Sequence, residues 1–366
     1  MSSSALFKEF TLKNLVLKNR LAMAPMTRNF SPNGVPHKDA ASYYARRAEG
    51  GIGLIITEGV EISHDSSSGY PNCPNLRSKE ARSEWKKIVK AVHDEGSSIF
   101  CQLWHVGGIR KPGMPPNPEM PGYTPSGFVN ANKKVAHEMS LTDIKDMINI
   151  YADDAKICED IGFDGIEIHG AHGYLIDQFF WKDTNKRDDR YGGSLVKRAQ
   201  FACDIIDACK NNTSDKFLVG IRFSQWKQQD YDAKIADNEK TLSEFLLKLA
   251  DSNPDFLHCS TRRYWEPEFK SSHLNLAGLA KKITGIPTIS VGSVGLNKDF
   301  INLYAGDDEA GFANIDELEQ RLAMNEFDLI AIGRALLSDP NWANKIKNNQ
   351  TDEIQQFNKT FVENYY

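Results

Sequence analysis

The sequence predicts one closed (β/α)8 barrel of the TIM type, and three observations point to it. Eight apolar runs of strand length alternate with stretches of helical periodicity along 366 residues, an order that argues for repeated βα units on a parallel sheet. Several runs are apolar on successive residues (GLIIT, FLVGI, DLIAI), as strands are when helices cover one face and a packed interior the other. No linker or low-complexity tract interrupts the chain, so residues 1–366 read as a single barrel domain, a length such barrels reach with insertions.

In chain order, Met1 to Ala5 (MSSSA) lacks the basic and apolar regions of a signal peptide and is expected to be disordered. Phe10 to Lys18 (FTLKNLVLK) alternates apolar and polar residues around Lys13-Asn14, which predicts a hairpin capping the barrel's N-terminal mouth. Strands follow at Leu21–Met26, Gly53–Thr57, Ser98–Leu103, Gly165–His169, Leu218–Phe223, Phe256–Ser260, Thr288–Val291 and Leu329–Ile332. Between them the spacing predicts helices over Asp39–Glu49, Lys79–Glu95, Leu141–Ile161, Leu195–Lys210, Lys240–Asp251, Leu274–Ile283 and Ile315–Met324, with a last one from Pro340. Val106–His137 is too long for an ordinary βα loop and holds six prolines between Pro112 and Pro125, which predicts an ordered, lid-like excursion over the C-terminal mouth.

The balance of 44 basic and 49 acidic residues, without a basic run, argues against nucleic-acid or anionic-membrane partners. No apolar stretch reaches the ~20 residues of a membrane span, so a soluble, cytoplasmic protein is expected. Six scattered cysteines form no C-x-x-C pair, so they read as buried free thiols, without a zinc or iron–sulfur site.

Barrel chemistry sits at the C-terminal strand ends, and the unusual residues concentrate there. The first strand ends Ala24-Pro25-Met26-Thr27-Arg28, the second Thr57-Glu58-Gly59, the third Gln102-Leu103-Trp104-His105. VGSVG and IGRALL follow the last two strands, where glycines before a helix start and Arg334 suit a phosphate. The fourth strand ends HGAHGY. Its histidines have no carboxylate between them, and Gly170 and Gly173 break helical phase, which argues against a metal. Two imidazoles donating to one oxygen and a phenol that keeps its proton at pH 7 suit the stabilisation of an enolate. Arg222, inside an apolar strand, requires an anionic partner, either a structural carboxylate or a ligand. Gln102 and Thr27 suit a flat heterocycle, and Trp104 is either core or the wall of an aromatic pocket.

Together LKNRLAMAPMTR, LIITEG, QLWHVG, IEIHGAHGYLIDQFF, the N-x-R-x-D-x-YGGS run from Asn185, GIRFS and the terminal Gly-Arg pair resemble, in order and spacing, the Old Yellow Enzyme family of FMN-dependent ene-reductases. The resemblance spans nearly the whole chain. It implies FMN at the barrel mouth with Pro25, Met26, Thr27, Gly59 and Gln102 around its ring, Arg222 at its N1/O2 edge, and its phosphate on Gly292, Ser293, Gly333 and Arg334. It also implies that His169 and His172 bind the substrate carbonyl oxygen, that Tyr174 donates the proton, and that NADPH or NADH supplies electrons. Thr27 matches the branch that tunes the flavin O4 with a hydroxyl. Val106–His137, Trp181-Lys182 and Ser260–Trp265 depart from the family pattern, which leaves the acceptor open.

The leading expectation is ping-pong reduction of an α,β-unsaturated carbonyl compound, with Trp104, His169 and His172 at the acceptor. A phosphosugar isomerase or aldolase would reuse the phosphate loops but needs a Lys or Glu at a strand end, where only Glu58 stands. A flavin-binding sensor would not need Tyr174.

Overall fold

A computed structural model describes residues 4–299 and 308–365. Eight strands form the sheet: β1 (Leu21–Met23), β2 (Leu54–Glu61), β3 (Ser98–Trp104), β4 (Gly165–His172), β5 (Leu218–Lys227), β6 (Phe256–Ser260), β7 (Thr288–Val291) and β8 (Leu329–Ile332). Each pairs in parallel with the next, and β8 returns to β1, so the sheet closes without an edge. Outside it run α1 (Ala40–Glu49), α2 (Lys79–Asp94), α3 (Leu141–Ile161), α4 (Gln200–Asn212), α5 (Glu239–Ala250), α6 (Leu276–Thr284), α7 (Asp316–Ala323) and α8 (Trp342–Lys347).

Side-chain caps set where several helices start. Ser140 and Asp143 form a capping box on α3, and Asn275 accepts from the Gly278 N–H, which moves the start of α6 from the expected Leu274 to Leu276. The helix expected over Leu195–Lys210 divides at Ala199 into Leu195–Arg198 and α4. Arg198 ties that first turn to the loop before it by donating to the Phe180 and Gly193 carbonyls.

The hairpin forms as expected, Phe10–Leu12 pairing with Leu15–Leu17 around Lys13-Asn14. Its Leu12 and Leu17 are buried against Ala22, Leu54, Phe100, Leu218, Phe256 and Leu329, closing the barrel's N-terminal end with apolar side chains. Each such side chain contributes roughly 1.5–3 kcal/mol by leaving water.

One expectation needs correcting, and one helix lay outside any expectation. Ala5, expected in a disordered stretch, opens a 3-10 helix (Ala5–Phe7) whose first turn Ser4 caps; Met1 to Ser3 lie outside the described residues. Leu175–Phe180, left unassigned by periodicity, is a helix directly after β4. The excursion from Val106 to His137 is ordered, but none of it lines the main cavity described below. Arg110 holds its shape: its guanidinium donates to the carbonyls of Ser68, Met114, Asn117 and Met120, folding the segment back on itself and tying it to the loop after β2. All six cysteines are buried and unpaired. Among the described residues no helix is long and apolar enough to cross a membrane.

Candidate active site

Parallel closure puts all eight C-terminal strand ends at one mouth, where all but that of β2 line a cavity of about 1010 Å3 counting its open side. Pro25, Met26 and Thr27 line it after β1, and Gln102 and Trp104 line it from β3. His169, His172 and Tyr174 enter from β4 and its turn, and Arg222 enters from β5. Gly292 and Ser293 close it after β7, Gly333 and Arg334 after β8. Gly59 is not brought to the cavity. A Cβ built on it would lie 2.5 Å from Trp104 Cε3, so Gly59 makes room behind the indole. Glu58 is also absent from the lining; it accepts from the Arg28 N–H at 2.9 Å and the Tyr365 hydroxyl at 3.4 Å.

The turn after β4 is over-determined. His172 and Gly173 both have positive φ, 63° and 80°, a backbone region that costs a non-glycine residue free energy unless neighbours hold it. Ser224 Oγ accepts from the His172 N–H at 2.9 Å, Asp177 accepts from the Gly173 N–H at 2.6 Å, and Gln178 and Gln229 donate to the Gly173 carbonyl. Asp177 is held by Lys227 at 2.7 Å, and neither side chain of that pair is exposed.

This frame stands three functional side chains together. His169 lies 5.1 Å from the His172 ring and 4.9 Å from Tyr174, both edge-on. Burial, then the Arg222 charge, pushes both imidazoles well below their usual value, so they are neutral at pH 7. The Ala171 N–H donates to His169 Nδ1, which leaves the ring proton on Nε2 as a donor. His172 Nε2 is 2.7 Å from Ser260 Oγ, and its ring stacks on Trp226 at 4.4 Å. Burial, then the neighbouring Tyr70, drives the Tyr174 phenol well above its ordinary range, so it stays protonated. Its oxygen lies 3.2 Å from the Tyr70 hydroxyl.

Beneath them lies a buried polar layer. Gln102 Nε2 donates to Glu167 Oε1 at 2.7 Å, and His258 Nδ1 is 2.6 Å from Glu167 Oε2. With its NH2 turned down to Glu167, Gln102 has its carbonyl oxygen left for a ligand. Arg222 donates to Ser260 Oγ at 3.2 Å but, among the described residues, has no carboxylate at ion-pair distance, and its buried Nε–H has no acceptor. The buried Glu167 carboxylate acts on the guanidinium from beyond ion-pair distance, and the unmet buried N–H that remains calls for an electron-rich ligand.

Sequence reasoning missed Trp226, Ser260, Thr261 and Arg262, which also line the cavity. Ser260 is the last residue of β6, so the strand-end rule reaches it. Trp226 was hidden because β5 continues to Lys227 through polar residues, past the apolar run.

Comparison with known proteins decides the family. The profile of the NADH:flavin oxidoreductase / NADH oxidase family matches residues 5–353. The chain belongs to that family. Its motifs place it with the Old Yellow Enzymes, and as a member it is an FMN oxidoreductase supplied by a nicotinamide. It is 34% identical over 332 residues to a putative 12-oxophytodienoate reductase 6 of Oryza sativa subsp. japonica, covering 89% of this chain and 79% of the relative. It is 31% identical over 365 residues to an NADH oxidase of Thermoanaerobacter brockii, covering 96% of this chain but 52% of that longer protein. A morphinone reductase variant in complex with tetrahydroNAD superimposes with a TM-score of 0.79 at 25% identity, over 98% of this chain and 94% of the other.

Proposed function

We propose that this oxidoreductase reduces the C=C bond of α,β-unsaturated carbonyl compounds, NAD(P)H and the acceptor taking turns in one cavity over FMN. One observation carries the reading: a fixed imidazole N–H donor, His169 Nε2, and a protonated phenol, Tyr174, converge beside a buried guanidinium that, among the described residues, has no carboxylate at ion-pair distance. The reductase names of the relatives agree with it.

The residues fit FMN at both ends. Arg222 offers its charge and an unmet Nε–H to the pyrimidine edge of the ring. At the other end the backbone bends through Gly292, where a Cβ would meet the Arg262 and Arg263 backbone at 2.8 Å, and a Cβ on Gly333 would touch Met26 Sδ at 3.6 Å. Arg334 stays charged although burial lowers it to about 10, so its charge can meet a phosphate while its terminal nitrogens donate to the Lys298 and Asp299 carbonyls. Pro25, Met26 and Gln102 would hold the ring between these ends, and Thr27 would offer a hydroxyl to its O4. Gly59 would act only through Trp104.

FMN, when bound, supplies hydride transfer from nicotinamide to the β-carbon of the acceptor. Around that chemistry His169 donates to the acceptor's carbonyl oxygen and His172 joins it, each neutral and so without a charge to neutralise. Trp104 walls the acceptor, and Tyr174 holds the proton destined for the α-carbon. With all its thiols unpaired, the protein suits the reducing cytoplasm.

Enone-dependent oxidation of NADPH or NADH by the purified yellow protein tests the function; a protein without flavin, or one that oxidises the nicotinamide no faster with cyclohexenone, would refute it. FMN is expected to copurify, and Arg222→Ala to lose most of it. A folded Arg222→Ala variant as yellow as wild type would remove Arg222 from the flavin site. Phenols should give a long-wavelength charge-transfer band that weakens when His169 and His172 are both replaced by Ala, because the phenolate oxygen loses its donors. An unchanged phenol titration would reject their joint role.

A further inference from the structure

We propose that Glu167 is a counterweight to Arg222 behind the cavity wall: its carboxylate fixes the Gln102 amide and holds the reduction potential of FMN below the value that Arg222 alone would give. Glu167 is thus a positioning residue, acting through Gln102 and through its own field. The inference rests on the flavin placement proposed for this cavity, with the ring held by Gln102 and Arg222.

The groups stand on four consecutive strands. Glu167 of β4 is in register with Gln102 of β3, and Arg222 of β5 with His258 of β6. Gln102 and Arg222 line the cavity, whereas Glu167 and His258 are absent from its lining and neither side chain is exposed. Both carboxylate oxygens are engaged: Oε1 accepts from Gln102 Nε2 at 2.7 Å, and Oε2 lies 2.6 Å from His258 Nδ1. His258 Nε2 has no partner, so a neutral ring with its proton on Nδ1 is the form that strands no donor, and burial lowers His258 in the same sense. Burial by itself would raise the Glu167 carboxyl, but His258, the Arg222 charge and the Gln102 amide bring it below the ordinary carboxylate range, so it is ionised at pH 7.

An ionised carboxylate can only accept, so the Gln102 NH2 is locked toward Glu167 and the amide turns its oxygen to the cavity. That oxygen suits the ring N–H of an oxidised flavin and disfavours negative charge on the ring. Hydride carries two electrons with one proton, so a ring that receives it gains one negative charge. Arg222 favours that charge, while the Glu167 carboxylate and the Gln102 oxygen it fixes oppose it. In a buried site both effects are larger than in water. Glu167 thereby makes the reduced ring a stronger hydride donor to the acceptor, and the oxidised ring a weaker hydride acceptor from the nicotinamide, than Arg222 alone would.

The test is the two-electron reduction potential of the holoenzyme, read by equilibration with a reference dye, in wild type, Glu167→Gln and Glu167→Asp. Gln keeps the volume, and its amide can still accept from Gln102 and pair with His258, so the variant is expected to fold and to retain FMN. Its potential should rise by about 30 mV or more, a tenfold shift in the equilibrium between oxidised and reduced flavin. Stopped-flow traces should show the enone half-reaction slowed and the nicotinamide half-reaction not, a split that lost packing would not produce. Asp keeps the charge and should stay closer to the wild-type potential. A Gln variant at the wild-type potential, or Gln and Asp raised equally, would overturn the counterweight. The flavin content of Arg222→Ala reports separately on where the ring lies, so a misplaced ring and an inert Glu167 give different results.

Discussion

Tyr174→Phe is expected to slow the enone half-reaction about 10²- to 10⁴-fold, a rise of about 3 to 5 kcal/mol in its barrier, while the nicotinamide half-reaction stays close to wild type. Only the first of these delivers a proton to carbon. Burial and Tyr70 hold the phenol in its protonated form, and the Tyr70 hydroxyl 3.2 Å away fixes its oxygen in the cavity. Phenylalanine keeps the ring that packs edge-on against Trp104 at 5.0 Å and against His169 at 4.9 Å, so any loss belongs to the hydroxyl. Quinones, which are protonated on oxygen in exchange with solvent, should be largely spared. Stopped-flow absorbance separates the halves. Equal slowing of both would indicate a disturbed pocket, and no slowing of either would mean that water or another group supplies the proton.

The barrel was legible because its evidence is local. Runs such as Leu218 to Ile221 or Leu329 to Ile332 are apolar on successive residues, and each lies in the sheet as a buried strand. Most site residues were legible for a related reason: a polar or glycine residue at the end of an apolar strand has to face the mouth. What escaped was non-local or short. Leu175–Phe180 spans six residues, less than two turns, so no period could reveal it. The strand expected for β5 stops at Phe223 while its hydrogen bonding continues to Lys227, and Trp226 was lost in that difference. Gly59 sits where β2 shifts register between Ile56 and Gly59, and the shift helps decide that the glycine meets the indole rather than the cavity. Nor could spacing reveal that Lys227 meets Asp177, 50 positions earlier in the chain.

That pair carries the second large effect. Lys227→Met is expected to cost about 3 to 5 kcal/mol of stability, because it leaves a buried carboxylate without its countercharge. Against a total of about 5 to 15 kcal/mol for a typical fold, the variant should melt far below wild type. Yet the pair is no strong source of stability in itself. Burial pushes Asp177 up to about 6 even with Lys227 beside it, and burial likewise lowers Lys227, so desolvation outweighs their attraction. Lys227→Met combined with Asp177→Asn should therefore recover most of the loss: the charge is gone, and an amide oxygen remains to accept the Gly173 N–H now bound at 2.6 Å. The sign with pH follows from the same shift. An unfolded Asp titrates near ~3.9, whereas the folded one titrates at about 6, so between these values the folded chain binds more proton and the group's contribution to stability falls as pH rises. The double variant lacks that term, and its stability relative to wild type should improve as the pH rises from about 4 to about 6. Thermal melts across that range check both claims. A single variant within about 1 kcal/mol of wild type, or a double variant no better than the single, would show that the turn bearing His172 and Tyr174 does not depend on this pair.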